Sequence, residues 1–176
     1  MAVNQIEELR KCIRDVPNFP KQGIVFKDIT TLLKNKKAFK SAIDLLASKF
    51  RGARIDQVVG VEARGFIFGA PLAYKLGVGF VPVRKKGKLP HKTQSVTYEL
   101  EYGTDSLEIH ADAIKPKTRV LIVDDLLATG GTVKAVAQLL KSQKASIAGI
   151  AFLVELEFLK GKDKLKEFNV YSAIKY

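Results

Sequence analysis

Val120-Leu-Ile-Val-Asp-Asp-Leu-Leu-Ala-Thr-Gly-Gly-Thr132 is the stretch that decides the fold. Four apolar residues run into two adjacent carboxylates, Asp124 and Asp125. A short turn follows, and Thr129-Gly130-Gly131-Thr132 opens an amphipathic segment. The pattern predicts a buried strand, a pair of charges at its carboxyl end, and a loop of small residues entering a helix N-terminus. Such a loop turns several backbone N–H groups toward one anion, and the helix dipole favours negative charge there. Two neighbouring carboxylates repel each other and are retained more readily where a cation or hydroxyl groups are held. The loop lacks the lysine of an ATPase phosphate loop and lacks G-x-G-x-x-G. A tight strand-to-helix turn capped by a threonine is the bland alternative.

Working outward, the same alternation recurs. Gln57-Val-Val-Gly-Val61 reads as a short buried strand and Glu62-Ala-Arg-Gly65 as a polar turn at its end. Phe66–Leu76 reads as a helix, provided Pro71 falls in its first turn. Phe80-Val-Pro-Val83 is a strand, with Pro82 pointing to an edge or irregular position. Residues 84–95 read as a loop. Val96, Tyr98 and Leu100 alternate with Thr97, Glu99 and Glu101, and Ser106–His110 returns after Gly103-Thr-Asp105, which predicts a β-hairpin. Arg119–Val123, Ile147–Val154 and Val170–Ile174 are further strands, and Gly131–Lys144 a helix. Upstream, Asn4 and Glu7 resemble a capping box for a helix ended by Pro17 and Pro20. Gly23–Asp28 is a short apolar segment near the surface, and Lys37–Phe50 is a second helix.

Strands alternating with helices predict an α/β fold with a mainly parallel central sheet flanked by helices. Ligands in such sheets bind outside the carboxyl ends of the strands. Three polar turns occupy that edge: Glu62–Gly65, Arg84–Lys88 and Asp124–Thr132. Arg64 can fork two oxygens of a pyrophosphate, or instead pair with Glu62. Arg84, Lys85 and Lys88 lie on a basic loop of the kind that closes over anions. Val25, Phe26 and Leu126 can form a flat apolar slot, or plain packing. His91 and His110 lack metal-ligand spacing.

The 176 residues fit one domain, 1–176. The N-terminal stretch lacks the apolar core of a secretory signal, no run is long enough to span a membrane, and Cys12 is the single cysteine. A cytoplasmic protein is expected. The net charge of +12 raises nucleic acid as a partner. The charge is spread along the chain without a basic tail, which argues against that partner and suits a small polyanion.

The Val123–Thr132 run resembles the phosphoribosyl pyrophosphate motif of the type I phosphoribosyltransferases. Phe19–Asp28, Gly60–Phe66, Arg84–Pro90 and Leu100–Gly103 narrow the resemblance to the branch that uses adenine. It covers about Ile6 to Ile174. The resemblance implies a small N-terminal hood (about residues 1–35) and a flexible catalytic loop and hairpin lid (about 84–106). It also implies the reaction: adenine and phosphoribosyl pyrophosphate give AMP and pyrophosphate, with Mg2+, in purine salvage. By that resemblance Ala128, Thr129, Gly130, Gly131 and Thr132 hold the 5′-phosphate, and Asp124 and Asp125 face the ribose hydroxyls. Arg64, Lys85 and Lys88 belong to the pyrophosphate side. Val25, Phe26, Lys27 (through its backbone) and Leu126 line the base pocket, with Lys27 where many relatives carry arginine. Glu101 is the acid/base group and Tyr102 stands beside it. No residue is assigned as a direct metal ligand, and a homodimer is implied. Two alternatives stay open: an enzyme for hypoxanthine or xanthine, and a non-catalytic relative that binds nucleic acid. The second is expected to carry an added domain or a broken catalytic loop, and neither is visible.

Overall fold

A computed structural model describes residues 2–99 and 103–176. The chain divides into two compact units, residues 1–45 and 46–176.

The first unit holds α1 (Ala2–Lys11), β1 (Arg14–Pro17), β2 (Val25–Asp28), α2 (Thr30–Leu33) and the start of α3 (Lys36–Phe50). Asn4 lies inside α1, so it is no cap, and the helix ends before Pro17 because residues 14–17 pair antiparallel with 25–28. That hairpin takes up the Gly23–Asp28 segment. The cap that the sequence does hold sits at Asn35: its side-chain oxygen accepts from the N–H groups of Lys37 (3.0 Å) and Ala38 (3.2 Å) at the start of α3. The turn into α2 is fixed by Asp28, which accepts from the Thr30 N–H at 2.9 Å and from the Arg14 guanidinium at 2.5 Å. Arg14 first, and then the Thr30 N–H, hold the Asp28 carboxyl down to about 2. The folded group is therefore more acidic than the unfolded one. Its contribution is present above the ordinary carboxylate range and is lost as pH falls from about 4 toward 2. Asp28→Asn is expected to flatten the acid side of the stability profile in that window, as read by denaturant unfolding at stepped pH; an unchanged slope would show that the pair adds nothing to folding.

The second unit is built on a seven-stranded sheet. In chain order it contains β3 (Gln57–Val61), α4 (Arg64–Leu76), β4 (Gly79–Lys85), β5 (Thr93–Glu99), β6 (Thr104–His110), β7 (Arg119–Leu127), α5 (Gly131–Ser142), β8 (Ser146–Glu155) and β9 (Val170–Lys175). The strand order is β5-β6-β4-β3-β7-β8-β9. β4, β3, β7, β8 and β9 run parallel, and the β5–β6 hairpin joins antiparallel beside β4. The α/β expectation is met. Buried β-branched and aliphatic side chains, among them Val59, Ile122, Val136, Leu140 and Leu165, form the core with Phe152. β5 alternates as read: Val96 and Tyr98 pack on that core, while Thr97 and Glu99 face out.

Two prolines show how tertiary context rules. Pro71 lies in the middle of α4 rather than in its first turn. An interior proline costs a helix about 3 kcal/mol, and here the helix continues because Phe68, Gly69, Leu72 and Ala73 are buried around it. Pro82 pairs with Gly60 on one side, while the pairing of β4 with β6 begins only at Arg84. Its missing N–H thus falls where no ladder bond is required, as its edge reading anticipates. The loop expected over 84–95 is shorter, because β4 reaches Lys85 and β5 begins at Thr93.

Candidate active site at the carboxyl edge of the sheet

β3 is the middle strand of the seven; the chain steps out from it to β4 on one side, and then crosses to β7 on the other. The connections leave β3 and β7 in opposite directions, which opens a crevice at their carboxyl ends. Glu62–Arg64 and Asp124–Asp125 flank that crevice. Both carboxylates lie within β7 rather than beyond it, because β7 keeps its register with β8 as far as Leu127 and Glu155. Successive strand residues point to opposite faces, so the two carboxylates differ in surroundings. Asp125 is buried, its side chain 5% exposed, and its Oδ2 lies 2.9 Å from Arg64 Nε. Asp124 is half-buried and its Oδ1 accepts the Asp125 N–H at 2.9 Å.

The first turn of α4 presses onto this pair. A Cβ on Gly65 would stand 2.9 Å from both the Asp124 Oδ1 and the Val123 carbonyl oxygen, closer than side chains tolerate. Glycine is required there so that Arg64 can reach Asp125. Burial, and then the neighbouring Asp125 charge, raises the Asp124 carboxyl well above its usual range. Burial also raises Asp125, against the opposing pull of Arg64. The pair carries uncompensated negative potential that an arriving cation would relieve.

Beyond Leu127 the chain turns through Ala128, Thr129 and Gly130 into α5. Gly130 occupies the N-cap position at φ 78°, a left-handed conformation that favours glycine. No side chain caps this helix. The threonine-cap alternative therefore fails, and the start of the helix borders a hollow of about 80 Å³. Asp124, Leu126, Ala128, Thr129, Gly130 and Thr132 border it, together with Val133 and Phe152. Uncapped N–H groups, the positive end of a 12-residue helix and a hollow with room for several waters define an anion seat. Gly131 begins α5 itself.

The basic loop is organised by acids. Glu62 accepts from Arg84 Nε and Nη2, both at 3.2 Å, and from the Lys85 N–H at 2.9 Å. Burial pushes the Glu62 carboxyl up, but the Lys85 N–H and the Arg84 guanidinium outweigh it and hold the group below the usual range. Arg84 also donates to the Lys88 carbonyl at 2.9 Å, and the Gly87 N–H to Glu108 at 3.0 Å. Lys85 Nζ lies 3.2 Å from Asp105 on the hairpin. Glu62 thus pairs with Arg84, and Arg64 with Asp125; the Glu62–Arg64 bridge considered from sequence does not form. The exposed Lys85 and Lys88 stand at the end of β4 and on the turn after it.

Sequence reading missed Glu62 as the anchor of the basic loop and Phe152 as part of the hollow. The signal for Phe152 was its place on a strand beside β7, opposite Asp124, which is a register fact. In the first unit, Phe26 meets Phe19 edge-on at 5.2 Å beside a groove of about 210 Å³ bordered by Val16, Phe19, Phe26 and Asp28. Val25 is exposed, and Lys27 Nζ is held 2.7 Å from Asp15. Glu101 and Tyr102 lie outside the described residues. Among the described residues, no group of three or more histidine, cysteine or carboxylate side chains is placed to hold a metal ion, and no helix is long and apolar enough to cross a membrane.

Residues 28–174 match the family model for the phosphoribosyl transferase domain, which spans the carboxylate pair, Arg64 and the start of α5. The relatives are narrower in kind. An adenine phosphoribosyltransferase of Syntrophotalea carbinolica is 62% identical over 171 residues, 97% of this chain and 100% of the relative. That of Desulfitobacterium hafniense is 58% identical over 94% of this chain and 96% of its own. The crystal structure of the Thermoanaerobacter pseudethanolicus enzyme of that name superposes with a TM-score of 0.94 at 57% identity, covering 97% of this chain and 99% of that one. The Saccharomyces cerevisiae enzyme, solved with adenine and an imino-altritol bisphosphate, gives a TM-score of 0.92 at 43% identity over 98% and 99% of the two chains. This chain belongs to the adenine phosphoribosyltransferases.

Proposed function

We propose that the chain transfers the 5-phosphoribosyl group from phosphoribosyl pyrophosphate to adenine, giving AMP and pyrophosphate, as a cytoplasmic homodimer in purine salvage. The observation that carries this reading is the anion seat at the uncapped start of α5, directly beside the Asp124–Asp125 pair and Arg64. Family membership at more than half identity supplies the base.

The residues divide the work. Ala128, Thr129, Gly130, Gly131 and Thr132 hold the 5′-phosphate by backbone N–H groups and threonine hydroxyls, which fixes the ribose. Asp124 and Asp125 then lie by the sugar hydroxyls. As the bond from C1 to pyrophosphate breaks, positive charge grows on the ribose, and the carboxylates stabilise it. The gain is greatest in the transition state, where the positive charge on the ribose is greatest. Arg64, Lys85 and Lys88 neutralise the leaving pyrophosphate, with Glu62 holding the basic loop from behind. Mg2+, when bound, adds charge neutralisation and orients the pyrophosphate oxygens. Asp124 and Asp125 would support it indirectly, through the ribose hydroxyls. Val25, Phe26 and the Lys27 backbone are assigned to the adenine base, as is Leu126; the engagement of the Lys27 ammonium by Asp15 favours a main-chain role. Glu101 takes the proton adenine loses, and Tyr102 closes beside it. The segment of about residues 84–106 acts as the lid that keeps water from the ribosyl cation.

The test is AMP formation from phosphoribosyl pyrophosphate with a panel of purine bases. Adenine is expected to react and hypoxanthine and xanthine to lag by at least about a hundredfold, because a base pocket that pairs polar edges rejects a mismatched one strongly. Removing Mg2+ with EDTA is expected to abolish turnover, and restoring it to recover the rate. Turnover on hypoxanthine in place of adenine would reject the base assignment.

A further inference from the structure

The three-residue turn Ala128–Gly130 has no side-chain cap and no lysine to fix it. Something outside the turn has to set its shape. The chain after β8 does this. A Cβ built on Gly161 would overlap the Ala128 carbonyl oxygen, and would stand 2.9 Å from the Ala128 carbonyl carbon and 3.0 Å from the Gly130 nitrogen. In the opposite sense, a Cβ on Gly130 would overlap the Gly161 carbonyl oxygen and stand 3.1 Å from its carbon. Two glycines cross backbone on backbone, and neither strand of the crossing has room for a methyl group.

The Gly161 side is well anchored. The Leu156 N–H donates to the Leu127 carbonyl at 2.9 Å, so the segment leaves β8 already tied to the end of β7. The Glu157 N–H donates to the Tyr176 carbonyl at 2.9 Å, and its carboxylate pairs with Lys175 at 2.6 Å. Lys160 takes a left-handed conformation at φ 51° and starts the 3-10 turn Gly161–Leu165. That turn ends on Leu165, fully buried in the core. A segment fastened at both ends therefore backs the turn that faces the anion seat.

We propose that Gly161 is a positioning residue for phosphoribosyl pyrophosphate: its bare backbone clasps Ala128–Gly130 and holds their N–H groups in register for the phosphate. The proposal rests on the reading of this turn as the 5′-phosphate seat. A methyl group at 161 pushes the turn out of place without touching the base pocket or the carboxylates. Misplacement of about 1 Å costs on the order of a hundredfold. Gly161→Ala is expected to melt cooperatively, to keep KM for adenine within about twofold, and to lose about a hundredfold in kcat/KM for phosphoribosyl pyrophosphate, chiefly through KM. A merely structural role would lower the active fraction and leave both KM values alone.

Thermal shift by ribose 5-phosphate separates the two layers. The wild type is expected to be stabilised and Gly161→Ala to be stabilised much less. A wild type that ribose 5-phosphate leaves unshifted removes the phosphate seat and the proposal with it. Equal shifts in wild type and variant remove the clasp alone, as does an unchanged KM for phosphoribosyl pyrophosphate. If Gly161→Ala does not fold, Leu165→Val loosens the same segment from behind by one methylene. It is expected to raise KM for phosphoribosyl pyrophosphate and not for adenine, and an unchanged ratio overturns the proposal.

Discussion

Arg64→Ala is expected to lower kcat/KM for phosphoribosyl pyrophosphate by about 10²–10³, the loss typical of removing one preorganised group from a site of developing charge. Two effects combine. The proposed grip on pyrophosphate goes, and Asp125 loses the cation 2.9 Å from its Oδ2. Burial already raises the Asp125 carboxyl and Arg64 opposes that rise, so without Arg64 the group moves further toward the neutral acid. One substitution then removes a positive charge and makes the neighbouring negative charge harder to hold. The fold is expected to survive, because the Arg64 side chain is 41% exposed and a pair open to water on one side adds little to stability. A double-mutant cycle with Asp125→Asn reads this directly. The two losses should be far less than additive, since each variant disables the same unit. Additive losses would show that the arginine and the carboxylate act separately.

Asp124→Asn is expected to give a protein that is more stable and about a hundredfold slower. The carboxyl of Asp124 titrates higher in the folded chain than in the unfolded one, first through burial and then through Asp125. Between the two values the folded state binds the extra proton, so stability falls as pH rises through that window and the carboxyl is a burden above it. This sign is opposite to that of Asp28, whose depressed carboxyl loses stability as pH falls. Asparagine keeps an oxygen to accept the Asp125 N–H and drops the charge. Relief of about 1 kcal/mol would raise Tm by about 2–4 °C in a chain of this size. Scanning calorimetry at pH 7, with steady-state rates on the same samples, tests the pairing of outcomes. A lower Tm together with a slower rate would mean that the carboxylate supports the fold and that its charge is not held at a cost for catalysis.

Much of this was legible along the chain. The strand, carboxylate pair and small-residue loop from Val120 to Thr132 announce themselves because each rests on local chemistry: apolar runs, adjacent like charges, and glycine where the backbone must turn left-handed. The alternation at Val96, Tyr98 and Glu99 also survives, since a half-buried strand imposes a period of two on its own residues. Errors came where distant packing outweighs local preference. Pro71 sits in mid-helix because buried neighbours offset its cost. Asn4 looks like a cap and is not one, whereas Asn35 is. Residues 14–17 become a strand only because residues 25–28 are there to pair with them.

The sequence by itself determined that an α/β sheet would present an anion loop beside two aspartates, because those features are written in consecutive residues. The tertiary structure alone decided the partners. It set Arg64 on Asp125 and Glu62 on Arg84, although Glu62 and Arg64 are two residues apart, because neighbouring strands in the order β4-β3-β7 bring those side chains together. It also laid Gly161 across Gly130, thirty-one positions earlier in the chain. Such a crossing leaves no trace in spacing or composition, since the space it requires is defined only when the two backbones meet.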